Sequence, residues 1–223
     1  MSKNAAVKLR YFNFWGKAES IRLFFEDFQI PYVEERIERD QWSDKKPEYY
    51  KSGICPFGQL PVVSDGSKHL AQSRAILRYY AKKYDGYGDT PEQQYLCDQA
   101  AEGLFDYRPK FVQLLNEPED KFEEKKKAYV ETEIPIFVDA FEGLLRNNPE
   151  AGPYFARPNK ITFADICVFD FLICLIRLDG NCLDKHNTPL LKDFYQRMAS
   201  RPNIIKYINS GRRPERVNKS KNG

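Results

Sequence analysis

Cys55-Pro56-Phe57-Gly58-Gln59-Leu60-Pro61-Val62-Val63-Ser64-Asp65-Gly66-Ser67-Lys68-His69-Leu70-Ala71-Gln72-Ser73 is the stretch on which the fold turns. Leu60 to Ser64 and His69 to Ala71 are short runs flanking Asp65-Gly66, whose second residue takes positive φ without steric cost, so the pair reads as a β-hairpin. Ser73 then reads as the cap of a helix, because Ala75, Ile76, Tyr79 and Tyr80 fall on one face. Pro61 is the anomaly. Inside a strand it removes a ladder donor and is normally confined to an edge. A cis bond is one way out, since it turns the backbone N–H and C=O of Leu60 away from the ladder, toward an extended peptide that binds as one more strand.

Upstream, Val7, Leu9 and Tyr11 alternate with Lys8 and Arg10, the period of a strand with one face more buried, and Gly16 ends it. From Lys17, the apolar residues Ala18, Ile21, Phe25 and Phe28 recur at helical spacing with Glu19, Arg22 and Glu26 interleaved. Pro31 opens a second strand from Tyr32 to Ile37, so the unit is a right-handed parallel crossover. Asp40 to Gly53 is polar and reads as an irregular loop or a short surface helix. The order β-α-β, loop, β-β-α in about 80 residues is that of a thioredoxin-like domain. Downstream, Asp85-Gly86-Tyr87-Gly88-Asp89-Thr90-Pro91 is dense in turn residues and marks the domain boundary. The remainder reads helical: a long helix from Pro91, another through Lys121 to Leu145, and a capping box at Thr162-Phe163-Ala164-Asp165 before the apolar run Ile166 to Leu178.

A length of 223 residues suits two modest domains, and 42% hydrophobic residues supply a core for each. Met1 to Asn4 lead into an alternating strand without a secretory apolar stretch, and no run approaches the ~20 apolar residues of a membrane span, so a cytoplasmic protein is expected. Cys55, Cys97, Cys167, Cys174 and Cys182 are an odd set without a C-x-x-C pair, which predicts reduced thiols. Cys182 and His186 lack a second ligand pair, so no metal is expected. A net charge of +3 gives no case for nucleic acid, and Lys125-Lys126-Lys127 reads as a solvated helix face. The basic segment Arg212-Arg213-Pro214-Glu215-Arg216 reads as a frayed terminus.

Tyr11, Gly16-Lys17-Ala18-Glu19, Trp42, Gln59-Leu60-Pro61, Gln72-Ser73 and Asp106, in that order, resemble the Tyr-type cytosolic glutathione transferases. Phe163-Ala164-Asp165 and Ser200-Arg201-Pro202 are similar to segments of the Pi and Sigma classes, so the resemblance spans nearly the whole chain. It implies a thioredoxin-like domain over residues 5–84, an all-helical domain over 91–211 that contributes the acceptor site, a homodimer, and glutathione as co-substrate with no other cofactor. By the same resemblance the residue matching Leu60 pairs its backbone with the cysteinyl part of glutathione, and the one matching Pro61 is cis. Gln59 helps to hold the peptide, and Gln72 and Ser73 hold the γ-glutamyl carboxylate at a helix N-terminus. Trp42 and a lysine beyond it hold the glycine carboxylate; Lys45, Lys46 and Lys51 are all candidates, with Lys51 preferred by its spacing to Phe57-Gly58. The residue matching Asp106 reaches the ligand's amino group across the dimer interface.

Tyr11 carries the chemistry in this reading. A thiol with a pKa near about 8.5 is only a few per cent ionised at neutral pH, and a phenol O–H donated to sulfur favours the thiolate. Trp15 and Lys17 stand where the family usually has arginine; Lys17 keeps the charge beside the sulfur but loses the planar fork. Phe12, Phe14, Trp15 and Phe111 are the expected wall of the hydrophobic acceptor site. Cys55 lies before the third strand rather than after the first, where thiol-dependent relatives carry their nucleophile, and reads as structural. The activity implied is conjugation of glutathione to apolar electrophiles. A glutathione-dependent prostaglandin isomerase and a non-enzymatic ligandin-like or crystallin-like protein are the alternatives.

Overall fold

Val7, Leu9 and Tyr11 lie on the buried side of the first strand, as their alternation requires, and the sheet grows outward from it. The computed structural model describes residues 6–150, 152–220 and 222, so the reading of Met1 to Asn4 and the expected domain start at residue 5 lie outside the described residues. Strand β1 (Val7–Phe12) leads through a 3-10 turn (Gly16–Ala18) into α1 (Glu19–Asp27), and β2 (Tyr32–Ile37) returns parallel to β1 with Leu9 opposite Glu34. After α2 (Trp42–Lys51), β3 (Val62–Asp65) runs antiparallel to β1, and β4 (Lys68–Ala71) closes the hairpin at Gly66, whose φ is +61°. The sheet order is β2-β1-β3-β4. This mixed sheet, followed by α3 (Ser73–Lys83), is the expected thioredoxin-like unit.

Most of residues 40–53 is helix: α2 (Trp42–Lys51) covers one face of the sheet, where Ile37, Tyr49, Cys55 and Val62 form a small core bordered by Trp42 and Leu60. That cover buries Arg10, whose Nε donates to Glu35 at 2.9 Å and whose Nη1 donates to Ser64 Oγ at 2.6 Å. On the opposite face α1 and α3 pack into the main core. Glu19 and Arg22, interleaved among the apolar residues of α1, are both wholly buried. Buried charges persist only when paired, and here the pairing is complete: Arg22 bonds Glu19 at 3.1 Å, Glu34 at 2.7 Å and the carbonyl of Phe14 at 3.0 Å.

The helical part runs through α4 (Pro91–Leu115), α5 (Glu119–Arg146), α6 (Phe163–Leu178), the short α7 (Cys182–Lys185), α8 (Pro189–Ala199) and α9 (Pro202–Ile208). Helix α6 is apolar on nearly every face because it is the centre, touching α1, α3, α4 and α8. Its capping box is present: Thr162 N–H and Oγ1 donate to Asp165 Oδ2 at 2.6 and 2.7 Å. The turn-rich connector is held by Arg157, which donates to the Asp85 carbonyl at 3.0 Å and to Asp89 Oδ2 at 2.6 Å. Among the described residues no helix is long and apolar enough to cross a membrane, and no group of three or more His, Cys, Asp or Glu is placed to hold a metal.

Candidate active site

A cavity of about 490 Å³ opens where the end of β1, the start of α3, the C-terminal half of α4 and the C-terminal segment meet. Tyr11 lies at its floor, 5% exposed. The Lys17 backbone N–H donates to Tyr11 Oη at 3.0 Å, which occupies a lone pair and leaves the phenolic proton free to be given to a ligand. Burial pushes the Tyr11 pKa above its ordinary value; the Lys17 N–H and the charges of Arg108, Arg22 and Arg39 oppose this. The phenol is therefore protonated at neutral pH, with an O–H available to donate. Gly16 makes the approach possible. Its φ is +45°, and a Cβ there would collide with Tyr11 Oη and lie 2.8 Å from the Phe14 ring.

Gln59, Leu60 and Pro61 do not line this cavity, whose wall on the sheet side is made by Gln72, Ser73 and Arg74. The Leu60-Pro61 bond is cis, and β3 begins immediately after it. The Cys55 thiol is buried and donates to the Gln59 carbonyl at 2.8 Å; burial pushes its pKa up, as expected of a structural cysteine. Ser73 is the first residue of α3 rather than its cap. Gln72 holds the cap position with φ +68° and makes no side-chain cap bond. The first N–H groups of α3 thus open onto the cavity wall without a side-chain acceptor, an anion-binding arrangement.

Trp42 is half-buried against the edge of Phe12, with ring centroids 5.8 Å apart. Of the three candidate lysines, Lys45 pairs with Glu35 at 3.9 Å. Lys46 is four residues beyond Trp42, on the same helical face, and its aliphatic stem lies against Gly58. Lys51, the preferred residue, is nine positions along α2 and so projects from the opposite face. The structure brings Lys46, not Lys51, to the peptide frame; the one-turn spacing from Trp42 was the available signal.

The expected acceptor wall divides. Phe14 and Phe111 line the cavity, and Phe12 packs beside Phe14 between Trp42 and Arg39 without lining it. Trp15 is a correction: it is 3% exposed and lies beneath the C-terminal segment, away from the cavity. Its Nε1–H donates to the Pro214 carbonyl at 2.5 Å, and its backbone N–H donates to the Arg216 carbonyl at 2.9 Å. Gly16 N–H donates to the Val217 carbonyl at 2.9 Å, Arg213 stacks 3.7 Å from the Trp15 ring centroid, and Arg213 Nε bonds Glu19 at 2.7 Å. The basic tail is thus anchored, not frayed, because its carbonyls and cations find partners that a terminus in water would lack. It delivers Val217, Asn218 and Lys219 to the cavity wall.

Arg108 escaped the sequence reading. Its guanidinium donates to Asp170 Oδ2 and to the Gly16 carbonyl, both at 2.9 Å, so α4 and α6 hold the loop that carries Lys17. Asp106, two residues earlier and about 200° around the helix, is exposed outside the cavity.

A mixed four-stranded sheet with a cis proline before β3, a tyrosine at the end of β1 and a helical domain closing the cleft define the glutathione transferase architecture, and comparison with known proteins agrees. Residues 7–82 match the glutathione S-transferase N-terminal domain family, and residues 105–211 match the glutathione S-transferase C-terminal domain family. The chain belongs to the glutathione S-transferase family. More particularly, it is similar to glutathione S-transferase 2 of Onchocerca volvulus, at 36% identity with 91% of each chain covered. It is also similar to glutathione S-transferase P 1 of Xenopus laevis, at 34% identity over 93% of this chain and 94% of the relative. The solved Pi-class glutathione S-transferase of Onchocerca volvulus superposes with a TM-score of 0.85 at 34% identity, covering 96% of this chain and 98% of that one.

Proposed function

We propose that this protein binds glutathione and transfers its sulfur to an electrophilic carbon of an apolar compound, working as a cytoplasmic homodimer. The observation that carries the reading is Tyr11: a buried phenol, held by the Lys17 N–H with its own proton uncommitted, at the floor of a cavity whose other wall is the N-terminal end of α3. Glutathione lies with its cysteinyl part along Leu60, its γ-glutamyl carboxylate at the amides and hydroxyl of Gln72 and Ser73, and its glycine carboxylate near Trp42 and Lys46. Asp106, exposed on α4, meets the ligand's ammonium group from the partner subunit. The sulfur then points at Tyr11, whose O–H donates to it; the Lys17 charge adds to this preference for the thiolate. Catalysis consists of positioning plus a lowered thiol pKa, each unit of which corresponds to about 1.4 kcal/mol.

The test pairs retention on immobilised glutathione with conjugation of a neutral halonitrobenzene, for wild type and Tyr11→Phe. Wild type is expected to do both. The variant is expected to be retained, with affinity within a few-fold, while the pH at which the bound thiol ionises rises by about one unit or more, read by ultraviolet absorbance of the thiolate. An unchanged titration removes Tyr11 from this role. Retention without conjugation by wild type identifies a carrier instead of an enzyme.

A further inference from the structure

The cavity wall carries Lys17, Arg39, Arg74, Arg108 and Lys219, and no Asp or Glu. Two of these cations are already compensated: Arg74 pairs with Glu102, and Arg108 with Asp170 at 2.9 Å. Lys17, Arg39 and Lys219 have no acidic partner among the described residues. In the glutathione reading of this site, the ligand's two carboxylates go to the α3 terminus and to Lys46, and its thiolate goes to Tyr11 and Lys17. Arg39 and Lys219 then remain unmatched on a lining that also carries the apolar Phe14, Phe111, Val112 and Leu115.

Asn218 adds an independent observation. It lines the same wall, is 8% exposed, and accepts from Ser220 N–H at 2.8 Å and Ser220 Oγ at 2.7 Å through Oδ1. A backbone N–H only donates, so the amide orientation is settled and Nδ2 is the donor; it is buried and has no hydrogen-bond partner. Arg108 likewise spends only part of its five-donor fork on Asp170 and Gly16. Apolar walls strengthen each of these interactions relative to open water, and a cluster of like charges is relieved by an incoming anion.

We propose that the acceptor half of the cavity takes apolar electrophiles that carry a carboxylate remote from the reacting carbon, with Arg39 and Lys219 supplying charge and Arg108 and Asn218 supplying donors. This rests on the glutathione reading of the site and narrows it to a substrate class. For a chloroarene the thiolate sulfur attacks the ring carbon bearing chlorine; the C–S bond forms, the C–Cl bond breaks, and chloride leaves with the electron pair, so no oxidant or further reactant is needed.

The experiment compares a chlorodinitrobenzoate with its methyl ester, each enzymatic kcat/KM divided by the uncatalysed rate with free glutathione, because the ester activates the ring more than the carboxylate does. The normalised ratio is expected to favour the acid about tenfold in wild type, equivalent to about 1.4 kcal/mol. The preference is expected to appear chiefly in KM and to shrink with added salt. In the Arg39→Leu, Lys219→Ala double variant the ratio is expected to fall toward one, with retention on immobilised glutathione reporting that the variant is folded. A second measurement needs no variant: decanoate is expected to compete with the ester about tenfold more strongly than decanol does. Equal normalised rates for acid and ester in wild type, or a ratio unchanged in the double variant, overturn the acid-binding assignment and leave the transferase reading standing. Failure to turn over either compound, with no retention on glutathione, overturns both.

Discussion

Replacing Trp15 by Phe separates the anchoring of the C-terminal segment from the rest of the fold. Phe keeps an aromatic ring under Arg213 but removes the Nε1–H that donates to the Pro214 carbonyl at 2.5 Å. A buried carbonyl left unpartnered costs about 1–3 kcal/mol. The poorer cation–π surface beneath Arg213, now 3.7 Å from the indole centroid, costs about 0.5–1 kcal/mol more. The sum, about 1.5–4 kcal/mol, falls on docking of residues 213–217, so opening of this segment is expected to rise roughly ten- to several-hundred-fold, up to full release. Amide hydrogen exchange reads this directly, because the backbone N–H groups of residues 15 and 16 donate to the carbonyls of Arg216 and Val217. Faster exchange at these two amides, with Lys219 and Asn218 withdrawn from the cavity, is the expected result. Protection at 15 and 16 unchanged within about threefold would refute the assignment of the indole N–H as the main anchor.

Two further perturbations test the floor and the flank of the site. Gly16→Ala forces a side chain into the left-handed region at about 1–2 kcal/mol and drives its Cβ against Tyr11 Oη; halonitrobenzene conjugation is expected to fall at least about tenfold, and wild-type turnover in the variant would remove the close approach from the mechanism. Glu35 lies below its ordinary pKa of 4.5: burial alone would raise it, but the Tyr49 hydroxyl at 2.5 Å and Arg10 at 2.9 Å outweigh that effect. A carboxylate depressed in the folded state contributes stability above its unfolded pKa and loses it as pH falls through the lowered value. The thermal midpoint of Glu35→Gln is accordingly expected below wild type at neutral pH and to converge with it once the pH has fallen through the lowered folded-state value; a gap that persists into strong acid would contradict the ion-pair account.

Local chemistry was enough for much of this molecule. Strand β1 follows from the alternation of Val7, Leu9 and Tyr11, the hairpin from Asp65-Gly66, and the start of α6 from Thr162 and Asp165, whose capping contacts lie within three residues. The same holds for the placement of Tyr11 at a strand end beside Gly16, and for the frame Gln59-Leu60-Pro61. The placement of Lys46 one turn from Trp42, with Lys51 on the far side of α2, follows from helical periodicity alone.

Other features depended on chain returning from far away. Arg108 faces the Gly16 carbonyl 92 residues earlier, and the choice between it and Asp106 follows from the face of α4 that α6 presents to the cleft. Glu19 and Arg22 are buried by the loop after β1 and the C-terminal segment; Arg213, 194 residues from Glu19, completes their pairing. Trp15 reads as a wall of the acceptor site because an aromatic four residues beyond Tyr11 has no local reason to turn away. Sequence by itself determined the strands, the hairpin, the long helices and the position of Tyr11 at a strand end, all of which rest on spacing and backbone conformation over a few residues. Only the tertiary structure decided which cations face the cavity and what covers Trp15, because a buried charge or carbonyl is satisfied by whichever partner the folded chain brings within about 3 Å.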